Sequence, residues 1–412
     1  MEDQDRDHIS SRSHFSGRSE QELDEMLDEL RAGKIGINQP GQNSSEHDSE
    51  DTPEENDNAS GTGNAAKSKK GKSRKEGFNL KDEVISWIQV LVAAAIIAFC
   101  VNHFIIANSE VPTSSMETTI MAGDRVIGSR LSYKFGDPQR GDIAIFIYPD
   151  DEAKGIKTYY VKRIIGMPGD TIEIRDNQVY IDGKAAENPE NMQFCYYVET
   201  DGSPITEEQF RLMNVSKEDR ILVSNNGYYQ DLMSFLGFES IAPGQYNPVY
   251  RMPLTKKALA IAEKLPIVKK IVIEPDAFSG LTYPAWYETG WTRDNYGPLW
   301  IPKKGATIPL NERNIALYGR CIKNYENNTL EEKDGTYYIN GKPETDYTFK
   351  YDYYWMMGDN RHNSADSRSW GFVPEDHIVG KPILIWLSLD KDRSLFDGGI
   401  RWNRLFRMVH PN

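Results

Sequence analysis

The apolar positions divide the chain into three stretches. Residues 1–82 hold few apolar or aromatic side chains and are rich in Ser, Asn, Asp, Glu and Gly. Such a segment cannot bury enough apolar surface to offset its ordering entropy, so it reads as a disordered tail. One patch within it differs. Leu23, Met26, Leu27 and Leu30 fall at i, i+3, i+4 and i+7, Ser19 and Glu22 form a capping-box pattern, and Gly33 follows as a stop. This predicts a helix over 19–31, either transient or docked on a partner. Next comes 84–106, VISWIQVLVAAAIIAFCVNHFII, 23 residues without a charge. As a helix it would be about 34 Å long, enough to cross a bilayer. With 83 residues before it, it reads as a retained transmembrane anchor rather than a cleaved leader, a buried core helix being the other reading.

After residue 107 the pattern becomes short β-prone runs. Strands are predicted at Arg125–Ser129, Asp142–Tyr148, Tyr159–Ile165, Thr171–Ile174, Gln178–Ile181, Gly335–Ile339, Tyr353–Met357 and Pro382–Leu387. Turn signals separate them, among them Pro168-Gly169-Asp170, Asp182-Gly183 and Asn340-Gly341. The phrase VYIDGK at 179–184 returns as YYINGK at 337–342, which two similar hairpins explain better than a repeat architecture. Between them lies a mixed stretch in which Ser216–Arg220 and Pro253–Glu263 look helical and no chemistry is legible.

Composition changes this picture in two respects. The net charge is −14, but residues 1–60 alone hold 17 Asp/Glu against 5 Lys/Arg, so the acidity belongs to the tail. Without an extended basic surface, nucleic-acid binding has no support. A cluster of Lys67, Lys69, Lys70, Lys72, Arg74 and Lys75 precedes the apolar run, whereas 107–121 carries no Lys or Arg, only Glu110 and Glu117. The positive-inside rule then puts the N-terminus in the cytoplasm and residues 107–412 outside. Of three cysteines, Cys195 and Cys321 face either pairing or life as buried thiols.

Three segments carry candidate chemistry. Pro112–Ile120 is dense in hydroxyls and, alone, reads as a polar linker. Tyr160–Asp170, YVKRIIGMPGD, places Lys162 on one strand face with Tyr160 and Ile164, and Arg163 on the other. A lysine in an apolar run is either ion-paired, snorkelling, or held with a depressed pKa. Met357–Gly371, MGDNRHNSADSRSWG, is too polar for a strand and reads as a hydrogen-bonded loop. Asp359, Asn360, Asn363 and Asp366 also suggest calcium ligands, but EF-hand spacing is missing.

In this order, after an apolar span, the three segments and Arg140-Gly-Asp-Ile-Ala-Ile-Phe146 resemble bacterial type I signal peptidase, serine peptidase family S26, over about 80–185 and 345–390. The resemblance implies a mostly β fold: a signal-peptidase-like β-sheet catalytic core at 107–185 and 345–412, with an inserted second α+β domain at 186–344. Before it would stand the transmembrane helix 84–106 and the tail 1–82. It implies Ser115 as nucleophile, Lys162 as general base, and the Thr113 hydroxyl with the Ser115 N–H as oxyanion donors. Ser364 would orient the lysine, and Asp366 and Arg368 would support the loop. No metal or cofactor is implied. The partners would be exported preproteins, cut after small residues at −1 and −3, and the lipid bilayer; the site would be the bacterial cell membrane, single-pass. Three positions depart from the family pattern: Ser114 replaces a glycine, Thr118 a proline and His362 an aspartate.

Other readings compete. A self-cleaving repressor shares the Ser/Lys chemistry but needs a DNA-binding domain and no anchor. An anchored binding protein would use the hydroxyl loops structurally. A Ser/His hydrolase would need His362 or His377, the latter in what reads as a surface turn, Pro374-Glu-Asp-His. The basic, aromatic segment Ile400–Arg407 could lie on lipid headgroups or form an ordinary surface helix.

Overall fold

The computed structural model describes residues 80–100, 106–149, 151, 155–224, 230–278, 280–390, 393–394 and 398–410. The 19–31 helix, the basic cluster and all but the last residues of the 1–82 tail lie outside the described residues.

A helix occupies Leu80–Cys100, with Lys81, Asp82 and Glu83 in its first turn and no charge from Val84 on. Its side chains are exposed all round: Val84, Ile85, Trp87, Ile88, Val90, Leu91, Val92, Ile96 and Phe99 each show half or more of their surface. Its uncharged part, 84–100, is 17 residues, about 26 Å, against the roughly 30 Å of a hydrocarbon core. The predicted span 84–106 is therefore met only in part. Residues 101–105 lie outside the described residues, and among those described no helix is long and apolar enough to cross a membrane.

The body is built on one antiparallel sheet. Its strands are β1 (Ile106–Glu110), β2 (Asp124–Ser129), β3 (Ile143–Ile147), β4 (Tyr159–Gly166), β5 (Tyr353–Met357), β6 (Val373–Pro374), β7 (Ile378–Ser388) and β8 (Arg407–Met408). They run in the order β1-β2-β7-β3-β4-β5-β6, with β8 on β7. Both faces are covered. Along β5, Tyr353, Trp355 and Met357 enter one apolar cluster while Tyr354 and Met356 enter another. A strand buried on both sides reads as a continuous apolar run, as YYWMM does.

The other predicted strands also stand at Thr171–Arg175, Gln178–Ile181 and Thr336–Ile339. Asp182-Gly183 (φ 50° and 75°) and Asn340-Gly341 (φ 52° and 76°) adopt the left-handed conformation of tight hairpin turns. The echoed phrases thus form two similar hairpins.

The intervening stretch holds a second sheet, of strands Val268–Ile273, Gln193–Thr200, Val249–Thr255 and Ile221–Leu222 in that order. It has apolar clusters of its own, around Tyr197 and Leu232 and around Met252 and Phe210. Residues 283–325 pack instead into the cluster that holds Trp355.

Three expectations are corrected. Ser216–Arg220 is a turn: the Ser216 hydroxyl donates to the Asp219 carboxylate at 2.7 Å, a local bond that competes with helix. The helix nearby is Glu207–Leu212, opened by a Thr206/Gln209 capping box. Pro253–Glu263 divides, because Thr255 caps a helix at Lys256–Ala262 while Pro253 sits in a strand. Ile400–Arg407 forms only a 3-10 turn at Trp402–Arg404 before β8. Cys195 and Cys321 are both buried and unpaired.

Candidate active site

The hydroxyl-rich segment is a compact turn between β1 and β2. Bonds from Glu117 N–H to Ser114 O and from Ile120 N–H to Met116 O fold it, and Met116 and Ile120 anchor it in the apolar cluster with Val126 and Ile143. Ser115 is thereby fixed, 7% exposed. Its carbonyl accepts from the Asn360 N–H at 3.0 Å, and no hydrogen bond engages its own N–H among the described residues. The Thr113 hydroxyl lies 3.4 Å from Ser115 Oγ, on the exposed side.

Thr118, three residues on, has φ 70°, a strained conformation for a β-branched residue. Proline, the family residue here, could not adopt it. The turn is tied down from outside. The Thr118 hydroxyl donates to Asn191 O at 3.0 Å, and Arg404 donates to Thr118 O and Thr119 O while pairing with buried Asp124 at 2.6 Å. Ser114, in place of glycine, is not left-handed; its hydroxyl accepts from Asn363 Nδ2 at 3.0 Å.

Lys162 enters from β4, opposite Ala144 on β3, whose small side chain leaves room for its stem. It is 3% exposed, and its Nζ donates to Ser115 Oγ at 2.5 Å and to Val161 O at 3.2 Å. It forms no ion pair among the described residues. Burial pushes its pKa down to about 8, with the more distant charges of Asp366 and Asp359 acting the other way. Strand alternation sends Arg163 to the opposite face, which is also buried. There it grips Asp359 with two bonds of 2.8 and 2.7 Å.

The polar loop after β5 is a scaffold of this kind throughout. Asp359 also accepts from Thr119. Asp366 caps the short helix Ser367–Trp370, takes a two-pronged bond from Arg368 and accepts from the Gly358 N–H. Burial alone would raise the Asp366 carboxyl; Arg368 outweighs it and holds the group below the usual range. Both carboxylates that suggested calcium ligands are therefore engaged by arginines. Gly358 has no room for a Cβ, which would stand 2.3 Å from Ser364 Oγ and 2.5 Å from Ser115 O. Ser364 itself is not bonded to Lys162; its buried hydroxyl makes no close hydrogen bond among the described residues but lies near enough to the Asp366 carboxylate to help hold it down.

The two histidines are elsewhere. His377 is buried, not on a surface turn, and bonds Asp376 at 2.7 Å. His362 bonds Asn177 and buried Asp294, at 3.1 and 3.2 Å. Asp294 belongs to a buried chain of charges, Arg251–Glu274–Arg293–Asp294, that ties the second sheet to the loop. Gln193 adds a backbone clamp, donating to Asp359 O and accepting from the Arg361 N–H. None of these was legible, since their residues carry no motif and meet only in the fold. The same holds for Glu117, buried two residues past Ser115. Burial, and next the charge of Asp219, push its carboxyl up to about 8.

Residues 84–246 and 301–387 match the family model described as signal peptidase, peptidase S26. Signal peptidase I of Buchnera aphidicola from Acyrthosiphon pisum is 27% identical over 353 residues, covering 81% of this chain and 83% of that protein. Signal peptidase I S of Bacillus subtilis is 34% identical over 116 residues, 28% of this chain and 59% of that one. A probable signal peptidase I-2 of Synechocystis is 37% identical over 103 residues, 24% and 47%.

Proposed function

This chain belongs to the signal peptidase S26 family of serine peptidases, and from that premise we propose that it cuts signal peptides from exported preproteins with a Ser115/Lys162 dyad. One observation carries the dyad: a buried amine, with no ion pair among the described residues and a pKa brought down to about 8, in hydrogen-bond contact with a buried serine hydroxyl. Lysine serves as a base only when neutral, and its reference pKa near 10.4 would leave almost none neutral at pH 7. At about 8 a useful fraction is neutral, and an apolar substrate segment displacing water lowers it further.

The Ser115 proton passes to the Lys162 amine as Oγ attacks the scissile carbonyl. The resulting oxyanion takes hydrogen bonds from the unengaged Ser115 N–H and the Thr113 hydroxyl; one such donor is worth roughly 3 kcal/mol. The Lys162 ammonium returns the proton to the leaving amine, giving the acyl-enzyme. Lys162 then deprotonates a water that attacks the ester and frees Ser115. Ser364 is the candidate to take the amine's second hydrogen bond, now spent on the Val161 carbonyl. Asp366 and Arg368 hold the loop that supports the Ser115 carbonyl through Asn360.

The same reading covers location and specificity. An apolar helix exposed on all sides needs apolar surroundings, and the uncharged sequence runs on to Ile106. We read it as a single-pass anchor, N-terminus cytoplasmic, with the catalytic core of 107–185 and 345–412 outside and 186–344 inserted. The substrate binds extended, with small residues at −1 and −3. Cleavage of a purified preprotein by the detergent-solubilised chain tests the reading. Ser115→Ala and Lys162→Ala should each abolish it while leaving expression and fold intact, and full activity in either rejects the dyad.

A further inference from the structure

Ser114, which stands where the family pattern has glycine, is held at both of its polar groups by the loop after β5. Its hydroxyl accepts from Asn363 Nδ2 at 3.0 Å. Its carbonyl accepts from Asn360 Nδ2 at 3.2 Å and from the Glu117 N–H at 2.9 Å. Asn360 is fully buried, and its own N–H holds the next carbonyl, that of Ser115, at 3.0 Å. Asn363 is steadied in turn by Asp219, 144 residues away, through a longer contact of 3.5 Å, and Asp219 is held by the Ser216 hydroxyl at 2.7 Å. The Ser115 N–H, by contrast, engages no partner among the described residues.

The Ser114 carbonyl and the Ser115 N–H belong to one peptide unit. That unit is planar and trans, so the two groups point in opposite directions and fixing one fixes the other. With the carbonyl drawn toward buried Asn360, the N–H is turned away from the loop. Two donors on the carbonyl also pull electron density from the amide and strengthen the N–H as a donor. The unit can still rock about the bonds to its flanking Cα atoms, and an anchored side chain at 114 damps that motion. Glycine has no side chain to anchor and more backbone freedom. Resting on the reading above, we propose that Ser114 is a positioning residue: its hydroxyl on Asn363 and its carbonyl on Asn360 lock the 114–115 peptide with the Ser115 N–H aimed at the oxyanion. The gain falls in the transition state, because only there does the scissile oxygen carry the charge that the N–H answers.

The test follows preprotein cleavage by the full-length chain and, separately, the nitrophenolate burst from p-nitrophenyl acetate that Ser115→Ala abolishes, which needs a reactive serine but no signal peptide. Losing an oxyanion donor outright costs about 10²–10³-fold in kcat, and a donor that stays but wanders should cost less. Ser114→Ala and Asn363→Ala should each lower kcat about tenfold with KM unchanged, and slow the burst by the same factor. The two share one bond, so the double variant should be no slower than either single. Ser114→Thr, which keeps the hydroxyl, should recover most of the rate. A mere staple of turn to loop predicts a smaller burst amplitude and a lower thermal midpoint, with the rate per active site unmoved. That outcome overturns the proposal, as do a loss confined to KM, losses that multiply in the double variant, and single-variant rates equal to wild type. Should Asn363→Ala fail to fold, the Ser114→Ala and Ser114→Thr pair decides alone. If wild type shows the burst but cuts no preprotein, the signal-peptidase reading fails, while the burst rates still decide the clamp. If it shows neither, no oxyanion forms at Ser115 and both fall.

Discussion

Lys162 and Arg293 are both buried cations, 3% and 7% exposed, and the molecule treats them in opposite ways. Arg293 is answered by carboxylates: two bonds to Asp294, one to Glu274, and Glu274 in turn bonds Arg251. Burial would raise the Glu274 carboxyl, but these arginines bring it down to about 2. Lys162 is answered by a hydroxyl and a carbonyl, neither of which carries charge. The desolvation cost, offset only in part by the distant charges of Asp366 and Asp359, then favours the neutral amine that the proposed base requires. Guanidinium holds its proton far more firmly, and so arginine suits the scaffold while lysine suits the proposed base.

Exchanging the two cations breaks the comparison most severely. Lys162→Arg keeps a cation at Ser115 but no base, and preprotein turnover should fall about 10³-fold or more, measured as single-turnover rate at pH 8. Next in size, Glu274→Ala leaves Arg251 and Arg293 without their shared carboxylate. Chemical denaturation should show about 3–5 kcal/mol lost, and a loss below 1 kcal/mol would mean the chain of charges is not structural. Lys162→Met should act the other way. Below pH 8 the wild-type lysine is charged in the folded and unfolded states, and the folded state bears the whole burial cost. Between 8 and 10.5 the folded state loses its proton first and the cost fades. The inactive variant should therefore be more stable by up to about 3 kcal/mol below pH 8, with the gap closing by pH 10.5. The smallest effect is the pH profile of kcat/KM. It should rise tenfold per unit below about 8 and level off above it; a midpoint near 6.5 would point to histidine.

Legibility followed the same divide. Five strands of the main sheet, β2, β3, β4, β5 and β7, were readable because apolar runs and turn pairs are local signals, while β1, β6 and β8 were not; the candidates Ser115, Lys162, Asp366 and Arg368 stood out because they sit in short dense motifs. The Arg251–Glu274–Arg293–Asp294 chain was not, because each member is ordinary until the fold brings them together; His362 stood out, but its partner Asp294 did not. Ser216–Arg220 misled because Ser and Asp bond their own backbone as readily as they enter a helix. Thr118 was legible as a missing proline, but its left-handed backbone, which shows why proline would not fit, needed coordinates. Ser364 stands in the loop beside Asp366 but is not bonded to Lys162, so its proposed orienting role waits on substrate.

The grip of Arg404 on the turn that carries Ser115, 280 residues from its partner Asp124, also sets a timetable. A ribosome adding roughly 5–20 residues per second needs tens of seconds to bridge that separation. Until then the emerging polypeptide carries Ser115 on a turn lacking one of its ties, with the amine's strand unpaired from the later β5. A half-made copy thus has Ser115 and Lys162 without their arrangement, and the candidate site is complete only when nearly all of the body can close around them.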